Sequence, residues 1–233
     1  MVENKARKNF CLRVWGDYAA FNRPELKVER VSYDIITPSA ARAIFSAVFW
    51  KPAILWHVSK IEVLKPIKFC SLRRNEVAAL ASPKSHPVSI EERRQQRAAL
   101  CLKDVAYRLY ADMEYLPPEK RSSFNPNVEG PESPGKYFSM FERRAGKGQC
   151  FFTPYLGCRE FSASFAFIND DMLAEDTLSH PALGPEHDRD FGIMLYDMDF
   201  AADLNSPPAM FFRAKMENGV VEVPSIDSKE LLR

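Results

Sequence analysis

The sequence has neither a long apolar run nor a recognisable metal-ligand motif. It contains no stretch of about 18 apolar residues, which argues against a membrane-spanning helix. The first ten residues, MVENKARKNF, are charged and precede no apolar stretch, so we expect no signal peptide and a cytoplasmic location. The five cysteines form no CxxC pair, and no two histidines lie three or four residues apart. These spacings disfavour a disulfide framework and a structural zinc site, and we predict neither a metal nor a cofactor.

Charge is divided unevenly along the chain. Residues 1–150 contain 26 Lys+Arg and 16 Asp+Glu, whereas residues 151–233 contain 6 and 15, so the two parts carry net charges of +10 and −9. Clustered cations raise the affinity of a protein for phosphate backbones and other polyanions. The sequence therefore predicts that the first part binds a polyanion, although composition alone does not say which one.

Strands and helices are predicted to alternate in the basic part. Their order is a strand over 9–15 that ends at Gly16-Asp17, a helix from Pro38 to Phe49 with Thr37 as its N-cap, a strand over 53–64 with a bulge near Ser59, a short basic helix from Ser89 with Arg93, Arg94 and Arg97, a strand from Val105, a helix over 136–144, and a Phe-rich strand after the loop of Gly146, Lys147 and Gly148. This order predicts a ferredoxin-like α+β sandwich.

Helical signals fade after Gly157, and strands are predicted over 161–168, 191–200 and 211–223. The Asn218-Gly219 pair splits the last of these and is typical of a type I′ hairpin turn. We therefore predict an α+β chain with a ferredoxin-like domain over residues 1–150. Residues 151–233 add a last strand region and a smaller antiparallel β-sheet domain.

Three sequence blocks, in order, carry a family resemblance. They are FWKPAILWHVSKIEVLKPIKFCSLRRNEV (49–77), GKYFSMFERR followed by PYLGCREF (135–161), and AKMENGVVEVP (214–224). The chain resembles the subtype I-C CRISPR-associated proteins of the repeat-associated RAMP superfamily, whose members cut precursor CRISPR RNA in its repeat. The resemblance implies an RRM-like RNA-binding domain, CRISPR repeat RNA and its 5′ handle as ligand, and the other type I-C Cascade subunits as partners.

The resemblance also implies a metal-free endoribonuclease, in which a ribose 2′-hydroxyl attacks its own phosphate. The family pattern has a tyrosine at the end of the first helix and a Lys-His pair after the central connection; these positions are Phe49, Lys136 and Tyr137 here. We expect Lys136 to stabilise the phosphate charge, to lower the pKa of Tyr137, and to leave Tyr137 as the acid or orienting donor. The general base is unassigned, with Tyr33 and His57 as spare candidates.

Aromatic and basic residues near the predicted loops form the candidate RNA-binding set. Cations and loop amides hold phosphates, and aromatic rings stack on unpaired bases. The set contains Trp50, Lys51, Arg73, Arg74, Arg143, Arg144 and Lys147.

Two other functions remain open at this point. One keeps the RNA but removes the catalysis, leaving a structural subunit that holds the crRNA handle. The other is a metal-dependent phosphohydrolase with paired carboxylates as metal ligands, which a chelator would inhibit. Its candidate ligands are His187, Asp188, Asp190, Asp197 and Asp199.

Overall fold

A mixed α/β arrangement dominated by antiparallel strands is seen in the computed structural model, which describes residues 6–26, 28–79, 87–121, 132–203 and 205–233. The elements are β1 (Arg7–Ala19), β2 (Arg30–Val31), α1 (Pro38–Val48), β3 (Ile54–Val63), β4 (Phe69–Val77), α2 (Ile90–Arg93), β5 (Arg94–Tyr115), α3 (Pro134–Ala145), β6 (Ser164–Ile168), α4 (Asp170–Ser179), β7 (Arg189–Met198), β8 (Ala209–Met216) and β9 (Val220–Glu222). None of the described helices is both long and apolar enough to cross a bilayer.

The main sheet has the strand order β6-β1-β5-β3-β9, and β2 and β4 also pair with β5. The strands β1, β3, β5 and β6, together with α1 and α3, follow the β-α-β-β-α-β order of a ferredoxin-like fold. The α+β, ferredoxin-like prediction is therefore confirmed. The strands β7 and β8 form a separate two-stranded sheet. The division of the chain at residue 150 stays a prediction.

The core lies between the main sheet and the two long helices. Val105, Tyr107, Leu109, Ala111 and Met113 of β5 lie in this core, as their period of two predicts, but Ala106, Arg108 and Tyr110 on the other face are buried as well. The rings of Phe10, Phe45 and Trp56 surround Phe141 of α3, with centroid distances of 4.7, 6.2 and 4.9 Å. This aromatic contact fixes α1 and α3 on the sheet, so the C-terminal ends of both helices have defined positions.

The first helix begins and ends where the sequence predicts. Thr37 caps it by accepting a hydrogen bond from the Ala40 amide at 3.3 Å, and Pro38 occupies its first turn. Phe49 follows the helix in an extended conformation and is fully buried. The bulge in β3 is also confirmed, because its register with β5 shifts between Val58 and Lys60.

Three local predictions are wrong because contacts with residues distant in the chain decide the structure at these places. The first strand continues past Gly16 because β5 pairs with it as far as Ala19. The helix predicted from Ser89 ends at Arg93, and Arg94 begins a long strand that pairs with β4. Helix α4 was not predicted, because only Asp176 of its ten residues is buried and no apolar stripe marks it.

The predicted Asn218-Gly219 turn is present, with positive φ angles of 51° and 73°. The strand after it does not extend a hairpin with β8, because β9 pairs with the edge of β3. The second half of the chain therefore contributes β9, as well as β6, to the main sheet.

A buried ion cluster attaches α4 to the opposite face of the sheet. Arg108 of β5 is fully buried and donates to Asp176 Oδ2 from Nε at 3.0 Å and from Nη2 at 2.8 Å. Its Nη1 donates to Glu62 of β3, and its Nη2 also donates to the His180 carbonyl at 2.8 Å. Arg13 of β1 pairs with the other Asp176 oxygen at 3.0 Å. Beside these charges, Leu173 of α4 packs against the small apolar cluster of Cys11, Tyr110 and Ile168.

Gly157 lies against the backbone of Ala20, the residue that follows β1. Its φ is +85°, and an added Cβ would lie 2.1 Å from the Ala20 carbonyl oxygen. We expect Gly157→Ala to lower the free energy of unfolding by about 2 kcal/mol or more, measured by urea denaturation. Gly135→Ala is the control, because nothing lies within 4 Å of the added methyl group in α3. Equal stability of both variants would contradict the close approach.

Candidate nucleic-acid interface

Two exposed phenylalanines lie against the C-terminal end of α1. The last carbonyls of a helix have no partner within the helix. The Ala47 carbonyl accepts hydrogen bonds from the amides of Phe151 at 2.8 Å and Phe152 at 3.3 Å. The backbone is thus fixed, while the side chains are left outside, with Phe151 77% and Phe152 47% exposed. Sequence reasoning missed both residues, although they lie only three and four positions after Gly148 of the basic loop.

The C-terminal end of α3 brings cations to the same place. The Arg144 guanidinium lies 5.7 Å from the centre of the Phe49 ring, and the Arg144 carbonyl accepts from the Gln149 amide at 2.9 Å. Gly148 has a φ of +65°, which allows the loop to turn towards α1. We call the combined set the helix-end surface. It consists of Trp50, Lys51, Arg143, Arg144, Lys147, Phe151 and Phe152.

The other two predicted RNA-binding arginines lie elsewhere, within β4. Arg74 forms an ion pair with Glu160 at 2.5 Å, which connects β4 to the segment after Phe152. Arg73 points to the opposite face of the strand and is exposed. The structure therefore brings five of the seven predicted residues together at the helix-end surface and separates this pair from them.

Lys136 and Tyr137 lie in the first turn of α3. Ser133 caps this helix by accepting from the Lys136 amide at 3.3 Å, and the Lys136 side chain is exposed. Tyr137 is buried and stacks on Tyr115 with a centroid distance of 5.8 Å. Its hydroxyl donates to Glu132, whose other carboxylate oxygen pairs with Arg121 at 2.9 Å. The start of α3 is therefore held by a chain of polar contacts.

Comparison with known proteins identifies the family. Residues 10–224 match the family described as CRISPR-associated protein (Cas_Cas5), with the subdivision Cas5d. The chain belongs to the Cas5d family. It is 48% identical over 235 residues to the CRISPR pre-crRNA endoribonuclease Cas5d of Mannheimia succiniciproducens, covering 95% of this chain and 97% of the relative. The Cas5d endoribonuclease of Thermus thermophilus is 40% identical over 238 residues, with coverages of 95% and 94%.

A solved structure of a CRISPR-associated protein has the same fold as this Cas5d family member. The TM-score is 0.67 at 20% sequence identity, and the comparison covers 97% of this chain and 98% of the other. This likeness shows that the two chains share one fold over nearly their whole length.

The pKa of Tyr137 is shifted in the direction opposite to the one expected. Burial raises it, and the hydrogen bond to the Glu132 carboxylate raises it further. Burial also acts to raise the pKa of Glu132, but hydrogen bonds from Tyr137 and Arg121 outweigh it and lower that pKa. The expectation that Lys136 lowers the pKa of Tyr137 is therefore wrong. The tyrosine keeps its proton at neutral pH and donates it in a hydrogen bond to the Glu132 carboxylate.

The family tyrosine position and the two spare base candidates of this Cas5d family member have other contacts. Phe49, at the position of the family tyrosine, is a core residue. Burial raises the pKa of Tyr33, whose hydroxyl accepts from the Leu195 amide at 3.2 Å. His57 Nε2 lies 2.8 Å from Glu114 Oε2.

The acidic alternative site finds no support in the geometry. In the part of the chain that the structure describes, no group of three or more His, Cys, Asp and Glu residues is arranged to hold a metal ion. Asp190 pairs with Arg213 at 2.7 Å, and Asp197 pairs with Arg42 at 2.5 Å. The first pair joins β7 to β8, and the second joins β7 to α1.

Proposed function

We propose that this protein is a metal-independent endoribonuclease of the cytoplasm. It cuts precursor CRISPR RNA within the repeat and stays on the 5′ handle in the Cascade complex with the other type I-C subunits. The observation that carries the proposal is the match to two relatives named as pre-crRNA endoribonucleases, at 48% and 40% identity over 95% of this chain. Identity at this level over nearly the whole length supports a shared activity.

The helix-end surface supports binding to RNA. Lys51, Arg143 and Lys147 form no ion pair with any carboxylate among the described residues, so their charges are available to phosphates. Trp50 is 53% exposed beside them, and aromatic rings of this kind stack on unpaired bases. Cations together with exposed aromatics suit single-stranded RNA better than they suit a folded acidic protein.

We assign Lys136 to the reacting phosphate. The ribose 2′-oxygen forms a bond to phosphorus and loses its proton, while the bond from phosphorus to the 5′-oxygen breaks and that oxygen gains a proton. Negative charge increases on the phosphoryl oxygens in between, and an exposed ammonium group stabilises it. Tyr137 acts through position, because its contact with Glu132 holds the first turn of α3 that carries Lys136.

A second proposal is a subunit that holds the crRNA handle without cutting it. Two observations favour it: Phe49 is buried where the family has a tyrosine, and the Tyr137 hydroxyl is already bonded to Glu132. Cleavage of repeat RNA by the purified protein separates the two proposals, since both predict binding.

Salt dependence tests the binding surface. We expect the triple variant Arg143→Gln/Arg144→Gln/Lys147→Gln to reduce the slope of log affinity against log salt by about 2, because each phosphate contact to single-stranded RNA contributes about 0.7. The measurement is fluorescence anisotropy of labelled repeat RNA between low and moderate salt.

The control has the same change in net charge on cations that are already paired. It is Arg7→Gln/Lys65→Gln/Lys215→Gln, whose partners are Glu114, Asp104 and Glu217. An equal fall in slope for both triple variants would mean that net charge, and not the helix-end surface, governs binding.

A further inference from the structure

An open groove adjoins the helix-end surface. It has a volume of about 440 Å³ and is lined by Phe152, Thr153, Tyr155 and Arg159. Cavities of this size accept small organic molecules. Phe152 belongs both to the groove and to the helix-end surface, so a chain that crosses the surface reaches the groove directly.

The backbone that carries the groove is fixed at several points. The amide of Leu156 donates to the Phe161 carbonyl at 2.8 Å, and the amide of Ala163 donates to the Pro154 carbonyl at 2.9 Å. The Ala20 amide donates to the Leu156 carbonyl at 3.0 Å, which ties the segment to the end of β1. The groove is therefore formed before any ligand binds, which reduces the entropy lost on binding.

The lining has the chemistry that a nucleotide requires. Phe152 and Tyr155 offer ring faces to a base, the Thr153 hydroxyl and the Tyr155 hydroxyl offer hydrogen bonds, and Arg159 offers a cation to a phosphate. Arg159 is exposed and forms no ion pair with a carboxylate in the described residues. The ion pair of Glu160 with Arg74 leaves the charge of Arg159 uncompensated by its acidic neighbour.

We propose that this groove holds one unpaired nucleotide of the bound RNA, with its base against Phe152 and Tyr155 and its phosphate on Arg159. The assignment rests on the proposed function, since it takes the RNA bound at the helix-end surface as the source of the nucleotide. The excess of cations around Phe152 favours a polyanionic chain over a peptide as the occupant. The groove thereby selects RNA with an unstacked nucleotide at one fixed distance from the helix-end surface.

The test combines a protein variant with abasic RNA. We expect Phe152→Ala to weaken binding of repeat RNA about tenfold, the loss typical of one base–aromatic stack, and Phe152→Trp to restore it. Repeat RNAs with an abasic ribose at one unpaired position at a time should include one that weakens wild-type binding to the same extent. That RNA should lose almost nothing further with Phe152→Ala, because the two changes remove the same contact.

Phe200→Ala is the matched control, because Phe200 is 49% exposed and lies outside the groove. Equal losses of RNA affinity for Phe152→Ala and Phe200→Ala would overturn the groove assignment. Additive losses of affinity at every abasic position would overturn it too. In both cases the proposed function stands if the wild-type protein binds repeat RNA. Failure of the wild-type protein to bind repeat RNA would overturn both.

Discussion

Arg108→Ala is expected to lower the free energy of unfolding by about 3–5 kcal/mol, because it leaves buried carboxylates without their cation. Arg108 is fully buried and contacts both Glu62 and Asp176, which are themselves 8% exposed. Arg13 and Lys60 retain one carboxylate contact each, but neither spans the two acids as Arg108 does. The loss should appear as a lower urea midpoint in equilibrium unfolding.

The matched control is Arg7→Ala on the same sheet. Arg7 pairs with Glu114 at 2.7 Å, but its side chain is 53% exposed, so the solvent screens the pair. We expect a loss below about 1 kcal/mol for this variant. Equal losses of unfolding free energy for Arg108→Ala and Arg7→Ala would mean that the attachment of α4 does not depend on the buried cluster.

Lys136→Ala is expected to reduce the single-turnover rate of repeat RNA cleavage by about two orders of magnitude, while repeat RNA binding changes by no more than a few fold. The reason is that the ammonium group meets a charge that increases only during the reaction. Separate measurement of affinity and rate distinguishes this role from phosphate binding in the ground state, whose loss would weaken the affinity and leave the single-turnover rate at saturation unchanged.

Tyr137→Phe provides the comparison within the same helix turn. Because the Tyr137 pKa is raised and its hydroxyl donates to Glu132, we expect this variant to lose less than about tenfold in rate, through a looser start of α3. A loss as large as that of Lys136→Ala would mean instead that the tyrosine transfers a proton itself.

The elements that the sequence predicts well are those with local causes. Thr37 and Pro38 specify the start of α1 by capping and by a fixed φ angle, and the two faces of β3 require a bulge between Val58 and Lys60. The alternation from Val105 to Met113 is visible because one face of β5 packs in the main hydrophobic core. In each case the neighbouring residues alone carry the signal.

The parts that the sequence does not reveal depend on distant partners. Helix α4 is held by ion pairs of Asp176 with two strands, so its own residues show no amphipathic pattern. The strand pairing of Arg94 needs β4, and the place of β9 needs the free edge of β3. No local rule contains these contacts.

The candidate site likewise has residues that the sequence reveals and residues whose roles depend on distant contacts. The basic loop and Lys136 can be chosen from the sequence through the family resemblance. The roles of Phe151 and Phe152 depend on the end of a helix about a hundred residues earlier in the chain, where Ala47 accepts their amides. The raised pKa of Tyr137 depends on burial and on Glu132, which the sequence places nearby but does not orient.

The most direct test of the account is incubation of the purified protein with CRISPR repeat RNA in excess EDTA, beside Lys136→Ala. The account predicts one cut within the repeat by the wild-type protein, a 2′,3′-cyclic phosphate at the new end, and product that stays bound. Tight binding without any cut would contradict the nuclease and leave a subunit that only holds the handle.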